Sequence, residues 1–354
     1  MRYALLAFYL GVFAAAGHAH AQSVTIGLAA PVEETFAILG EQFAEGARAA
    51  IRENDGVELV ESNSACTEEG GRQAAEALLE ANVQFVIGFL CTPAVEAALP
   101  LLAEAGIPVI TPVRTDSLTD GKERTGWPVF RLGPRADGER DAVADILVSR
   151  WRDVFFAIVD DGTIYGRELA EHFRAAAERA ELKPVLFDTF RPQLDNQIGL
   201  LGRLRRAGAT HVFVGGDRAD IAIMARDAEQ LDYDVVLAGG EALRASDGEV
   251  PLSQGVLMIG PPRWEDLAQE DVLSALETAD TVPEGYVIPG YTALQVAAAA
   301  ARIAQQDGLP IEEVFQTTTF ETAIGPVDFD GKGDLSRELY RLFRYDGEEF
   351  VEVE

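Results

Sequence analysis

The chain has 354 residues and carries 29 lysines and arginines against 59 aspartates and glutamates, a formal net charge of -30. A field of that sign repels nucleic acid and anionic lipid, so no nucleic-acid partner is expected. The length is more than one hydrophobic core usually serves, which points to two domains.

Taken in chain order, the sequence opens on Arg2, an apolar run over residues 4–16 and the small-residue site Ala19-His20-Ala21. This reads as a secretory signal cleaved after Ala21, leaving Gln22 first. The run is shorter than the roughly 20 residues of a spanning helix, and glutamine at position 22 is not a lipid-attachment cysteine. A soluble, exported chain of 333 residues follows, 354 less the 21 removed. No later stretch is expected to cross a bilayer; residues 297–301 read as the buried face of a helix. Both cysteines, Cys66 and Cys91, lie in the exported part, where a disulfide is expected between them.

Next come β-rich runs alternating with amphipathic stretches: strand 25–30, helix 41–54, strand 57–61, helix 72–82, strand 83–90, helix 93–105 and strand 107–110. After residues 130–134 the rhythm restarts with strand 154–159, helix 165–179, strand 184–187, helix 197–207, strand 211–214, helix 219–231 and strand 235–238. Near-continuous apolar strands separated by helices are what a parallel sheet covered on both faces requires. Helices are then expected at 266–278, 291–306 and 311–320, a strand at 327–329 and a hairpin pairing 339–345 with 350–353. The pattern predicts two doubly wound α/β lobes, residues 22–132 with 263–325 and residues 133–262 with 326–354. Three crossings, near 132–135, 259–263 and 325–328, would form a hinge.

In open α/β sheets ligands bind at the carboxyl ends of strands. There the sequence places Cys91-Thr92-Pro93, Thr111-Pro112-Val113-Arg114-Thr115, Asp160 through Tyr165, Gly215-Gly216-Asp217 and Gly239-Gly240-Glu241. Thr92 before Pro93 reads as an N-cap, whose unpaired N–H groups and partial positive charge suit a carboxylate, or as an ordinary cap with no ligand. Thr115 adds a hydroxyl. Glu241 either accepts an ammonium group or caps a helix. Tyr165 either packs flat against a solute or is simply a packed residue.

These features together resemble the periplasmic branched-chain amino-acid binding proteins, the type I solute receptors of ABC importers. The resemblance rests on Ala65-Cys66 with Gly88 through Thr92, the Thr111-Pro112 turn, Asp160 through Gly166, Gly240-Glu241, and Phe329 through Asp334. It implies the type I periplasmic binding protein fold with a three-strand hinge, no enzyme activity, no cofactor or metal, and a monomer whose partners are a small amino-acid ligand and a membrane permease. It also implies that Thr92 holds the ligand carboxylate, Thr115 touches carboxylate and ammonium, Glu241 receives the ammonium and Tyr165 covers the ligand. Val113 and Arg114 stand where small residues offer backbone contacts, and Leu39 where an aromatic is usual. Asp217 replaces a tyrosine of leucine-type pockets. Arg114 and Asp217 either face the side-chain pocket, disfavouring an aliphatic ligand, or Arg114 turns to solvent or pairs with Asp116 or Asp217.

Two other readings have less support. An enzyme would need a nucleophile elbow, a P-loop or a dinucleotide fingerprint, and none is present. His172 and His211 have no metal-ligand spacing, and residues 328–334 read as a tight turn, since Leu339 stands where a calcium loop needs a bidentate glutamate. A sensor module of the same fold serving a receptor is the other alternative.

Overall fold

The structure is a computed structural model describing residues 23–54 and 56–353, so the expected signal segment and its cleavage site lie outside the described residues. Strands β1 (Val24–Ala30), β2 (Val57–Asn63), β3 (Phe85–Gly88), β4 (Val109–Thr111) and β5 (Val129–Arg131) form a parallel sheet in the order β2-β1-β3-β4-β5. The second sheet takes β6 (Phe156–Asp160), β7 (Leu186–Thr189), β8 (His211–Gly215), β9 (Val236–Gly239) and β10 (Leu257–Gly260). Counted within its own half, this parallel set repeats the same order, with the second strand at one edge and the first beside it. Strands β3 and β6 are buried along their whole length. Edge strands β2 and β7 are only partly covered. That contrast is what helices on both faces of a parallel sheet produce.

A hairpin of β11 (Phe320–Thr322) and β12 (Gly325–Val327) packs on the first sheet. Strands β13 (Arg341–Tyr345) and β14 (Phe350–Glu352) extend the second sheet antiparallel from β10. The first core also takes helix Val287–Asp307, which lies against helix Ala37–Ile51. This 21-residue helix is long and apolar enough to cross a membrane, contrary to expectation, but 72% of its apolar window is buried inside the fold.

Several elements depart from the sequence expectations, among them the short helices Ser117–Asp120 and Lys122–Thr125 and strand β11, which starts within the helix expected at 311–320. Helix Gly138–Arg150 and strands β5 and β10 lie where no element was expected, and the helix expected at 266–278 is divided into Trp264–Leu267 and Glu270–Thr278. The helix escapes a periodicity argument because Glu139, a charged residue, occupies a buried position on its inner face. β5 and β10 are short and run directly into the Gly- and Pro-containing segments read as crossings.

Three segments join the sheets. The first follows β5 and the second follows β10. The third falls later than residues 325–328: Val327 and Phe329 still belong to the first core, and Asp334 bridges to Arg131 of β5. The passage therefore lies between Leu335 and β13. Fully buried Arg131 donates to Asp334 Oδ1 at 2.7 Å and to Thr119 Oγ1 at 2.6 Å, while Arg135 donates to Asp334 Oδ2 at 2.9 Å. One carboxylate thus ties β5 and the first passage to the segment that leads into the third.

Candidate functional site

The carboxyl ends of β2 and β3 meet through the Cys66–Cys91 disulfide, with Cα atoms 5.1 Å apart. Around it the backbone is left-handed at Ala65 (φ 46°), Cys66 (φ 50°) and Phe89 (φ 53°), conformations costing on the order of 1–3 kcal/mol each for non-glycine residues. Gly88, at φ 106°, has no room for a side chain, since a Cβ there would sit 2.3 Å from the Ala29 carbonyl oxygen. Helix Thr92–Glu104 starts from this corner.

Its cap residue is Cys91, not Thr92 as expected: the Val95 N–H donates to the Cys91 carbonyl at 3.1 Å, and Cys91 makes no side-chain cap. The first N–H groups of the helix are thus left without intrahelical partners beside a positive dipole end. Thr92, freed from capping, lies with its hydroxyl 2.6 Å from that of Thr115, which follows β4. Val113 is buried and its N–H donates to Thr111 Oγ1 at 3.1 Å, so that N–H is used inside the lobe.

On the second sheet the central group is Glu139, which the sequence reading missed. It is 3% exposed, and its Oε1 accepts the Tyr165 hydroxyl at 2.7 Å and the Glu241 N–H at 2.7 Å. Burial, and then the nearby Glu241 carboxylate, push the Glu139 carboxyl up to about 7. Burial and then Glu139 raise the Tyr165 phenol above its ordinary value. Gly240 makes this cluster possible, because a Cβ there would lie 2.2 Å from Glu139 Oε1 and 2.6 Å from the Tyr165 oxygen.

The two edges are joined by Arg114. Its Nη1 and Nη2 donate to the two oxygens of Glu241 at 2.9 and 3.1 Å, its Nε donates to the Pro134 carbonyl at 3.2 Å, and Nη2 also reaches the Tyr340 hydroxyl. Tyr340 in turn donates to the Arg135 carbonyl at 3.2 Å. Burial pulls the Arg114 pKa down and the Glu241 carboxylate more than offsets it, so the net shift is upward. Arg114 therefore neither points to solvent nor pairs with Asp116 or Asp217. A bidentate fork of this kind is the strong form of an ion pair.

Thr92, Arg114, Thr115, Tyr165 and Glu241 are thus placed at facing sheet edges, with Arg114 filling the position beside Glu241 assigned to a ligand ammonium. Asp217 does not join them: it is exposed and caps helix Arg218–Gln230, accepting from the Asp220 N–H at 3.0 Å. Leu39 is half-buried in the first turn of helix Ala37–Ile51 and has no polar role. His211 stands at the start of β8, away from its carboxyl end, against Trp151. In the 328–334 turn, Asp330 Oδ1 accepts from the Lys332 and Asp334 N–H groups at 2.9 Å, and among the described residues no group of acids, histidines and cysteines is arranged for a metal.

Residues 23–348 match the family described as periplasmic binding protein. The chain is similar to the Leu/Ile/Val-binding protein homolog 3 of Brucella melitensis, at 27% identity over 368 residues covering 97% of this chain and 96% of that protein. Its fold is similar to that of an ABC transporter substrate-binding protein from Desulfitobacterium hafniense in complex with Leu, with a TM-score of 0.66 and 22% identity over 93% of this chain and 99% of the other. A solute binding protein of an ABC transporter from Rhodopseudomonas palustris, in complex with 3,4-dihydroxy benzoic acid, gives a TM-score of 0.62 at 18% identity, covering 93% and 95%.

Proposed function

The chain belongs to the periplasmic binding protein family, and on that premise we propose that it is an exported, monomeric solute receptor of an ABC importer that grips an amino acid by closing its lobes. The observation carrying this reading is the pair of Thr92 and Thr115 hydroxyls, 2.6 Å apart at the open start of helix Thr92–Glu104. Two hydroxyls beside unpaired N–H groups and a positive dipole end are a carboxylate receptor. The solute docks on this wall first. Lobe two then brings Tyr165 and Glu241 over it, and because the solute contacts both walls only when they are closed, it shifts the population toward that state. The importer's permease would recognise the closed form. Amino-acid binding is further supported by the name of the Brucella melitensis relative and by the Leu complex of the Desulfitobacterium hafniense protein.

One observation favours a second reading. Arg114 already holds both oxygens of Glu241 and neutralises its charge, so a solute ammonium gains less there, whereas a carboxylic acid without an amine does not need that carboxylate at all. The 3,4-dihydroxy benzoic acid complex of the Rhodopseudomonas palustris protein fits this alternative.

A thermal-shift panel of the mature protein against α-amino acids and against benzoates separates the two, since a ligand at 100 times its Kd adds about 2.7 kcal/mol. Shifts with amino acids that disappear in Glu241→Gln support the first reading. Shifts with benzoates that survive this substitution support the second. No shift with either class would overturn both.

A further inference from the structure

The polar contacts at the facing sheet edges differ in what they join. The Thr92 and Thr115 hydroxyls meet on the side of the first sheet, and Glu139 meets Tyr165 and Glu241 on the side of the second. Arg114 crosses between the two. It follows β4 of the first sheet, yet its side chain donates to Glu241 after β9, to the Pro134 carbonyl in the first passage and to Tyr340 just ahead of β13. Its own carbonyl accepts the Ala136 N–H at 3.0 Å, beyond that passage.

The geometry is that of a tie between two bodies. The Arg114 and Glu241 side chains are 32% and 26% exposed, so solvent and salt screen the pair less than they screen a surface pair. The planar guanidinium matches both carboxylate oxygens, which fixes direction as well as distance. The receiving end is anchored on its own side: Glu139 holds the Glu241 N–H, and Tyr340 is buried in the core that includes helix Gly138–Arg150. Swinging the sheets apart carries Glu241 and Tyr340 away from Arg114 together, so opening loses both contacts at once. The chain itself supplies a cation to Glu241 across the cleft.

We propose that the Arg114–Glu241 fork is an internal latch that joins the two lobes in the absence of solute, so that the empty protein rests closed and breaks the fork to admit a solute. The latch rests on the reading that the lobes open and close, and it is independent of which solute they take. A closed empty state lowers apparent affinity by the fraction of molecules that are open. Arg114 thereby sets affinity through the hinge equilibrium.

The separation of the lobes provides the test. The two native cysteines are both in the disulfide, so Ile38→Cys and Ile164→Cys give two unique labelling points. They are 63% and 88% exposed and lie in the first turns of helices Ala37–Ile51 and Ile164–Arg179, which follow strand ends of opposite sheets. The doubly spin-labelled chain is unfolded and refolded with its disulfide intact to remove bound solute, and circular dichroism melts confirm folding. Label separation is read by double electron–electron resonance, alone and with leucine or benzoate. Without solute this chain is expected to show one short separation. Arg114→Gln is expected to raise the open-to-closed ratio roughly 10-fold or more, Glu241→Ala to do the same, and the double variant to open no further than either single one. Glu241→Ala keeps the test open if Arg114→Gln fails to fold. If the empty labelled chain is already open and closes on adding solute, or if the two substitutions open it additively, the latch is overturned while lobe closure stands. If neither solute nor either substitution changes the separation, the closure reading fails and the latch falls with it.

Discussion

The two sheets share one strand order yet present different chemistry at their facing edges. The first edge offers neutral hydroxyls: Thr92, which starts a helix at a corner held by left-handed backbone and a disulfide, and Thr115, which meets it by a hydrogen bond. The second offers ionisable groups, Glu139, Tyr165 and Glu241, held by hydrogen bonds to one another. One wall is fixed covalently before a solute arrives. The other depends on charge and can be altered by protonation or by Arg114. Identical topology therefore sets where a site forms and leaves open what each wall does there.

The largest expected effect breaks the first wall. Replacing both cysteines by serine removes a cross-link spanning a sequence separation of 25, which in the chain-entropy model costs about 3–4 kcal/mol. Guanidinium denaturation should report that loss, with weaker solute binding as the Ala65, Cys66 and Phe89 backbone relaxes. A loss under about 1 kcal/mol, below the usual range for a native cross-link, would mean that the disulfide does not hold this wall.

A smaller effect sharpens the second wall. The folded chain binds the Glu139 proton more tightly than the unfolded chain, with a pKa of about 7 against an ordinary 4.5. Its contribution to stability is therefore complete below about pH 4.5 and is lost as pH rises through about 7. Glu139→Gln keeps an acceptor oxygen and cannot titrate. Between pH 5 and 8 the wild type should lose stability relative to this variant by up to about 3 kcal/mol, read from urea denaturation at each pH. A difference that does not vary with pH would show that Glu139 is ionised throughout.

What the sequence made legible follows the same division. Thr92, Thr115, Tyr165 and Glu241 were found because each follows a short apolar run, and a parallel sheet collects the ends of such runs at one edge. Glu139 and Tyr340 follow no such run. Glu139 meets Glu241 across 102 residues, and Arg114 meets Glu241 across 127 and Tyr340 across 226. Contacts so distant leave no periodicity or spacing to read. Asp217 was read only as a ligand group, although a residue after a strand end is equally placed to cap the next helix, as its contact with the Asp220 N–H shows. The third passage was placed too early because Phe329 and Asp334 return to the first sheet by packing and by an ion pair rather than by any regular element.

The central claim is that both walls hold one solute at the same time. A double-mutant cycle of Thr115→Val and Glu241→Gln, read by calorimetric titration with leucine, tests it most directly. The claim predicts that each substitution weakens binding and that their effects are coupled by about 0.5–3 kcal/mol, as for groups sharing one ligand. Strictly additive effects, or leucine binding indifferent to Glu241→Gln, would contradict it.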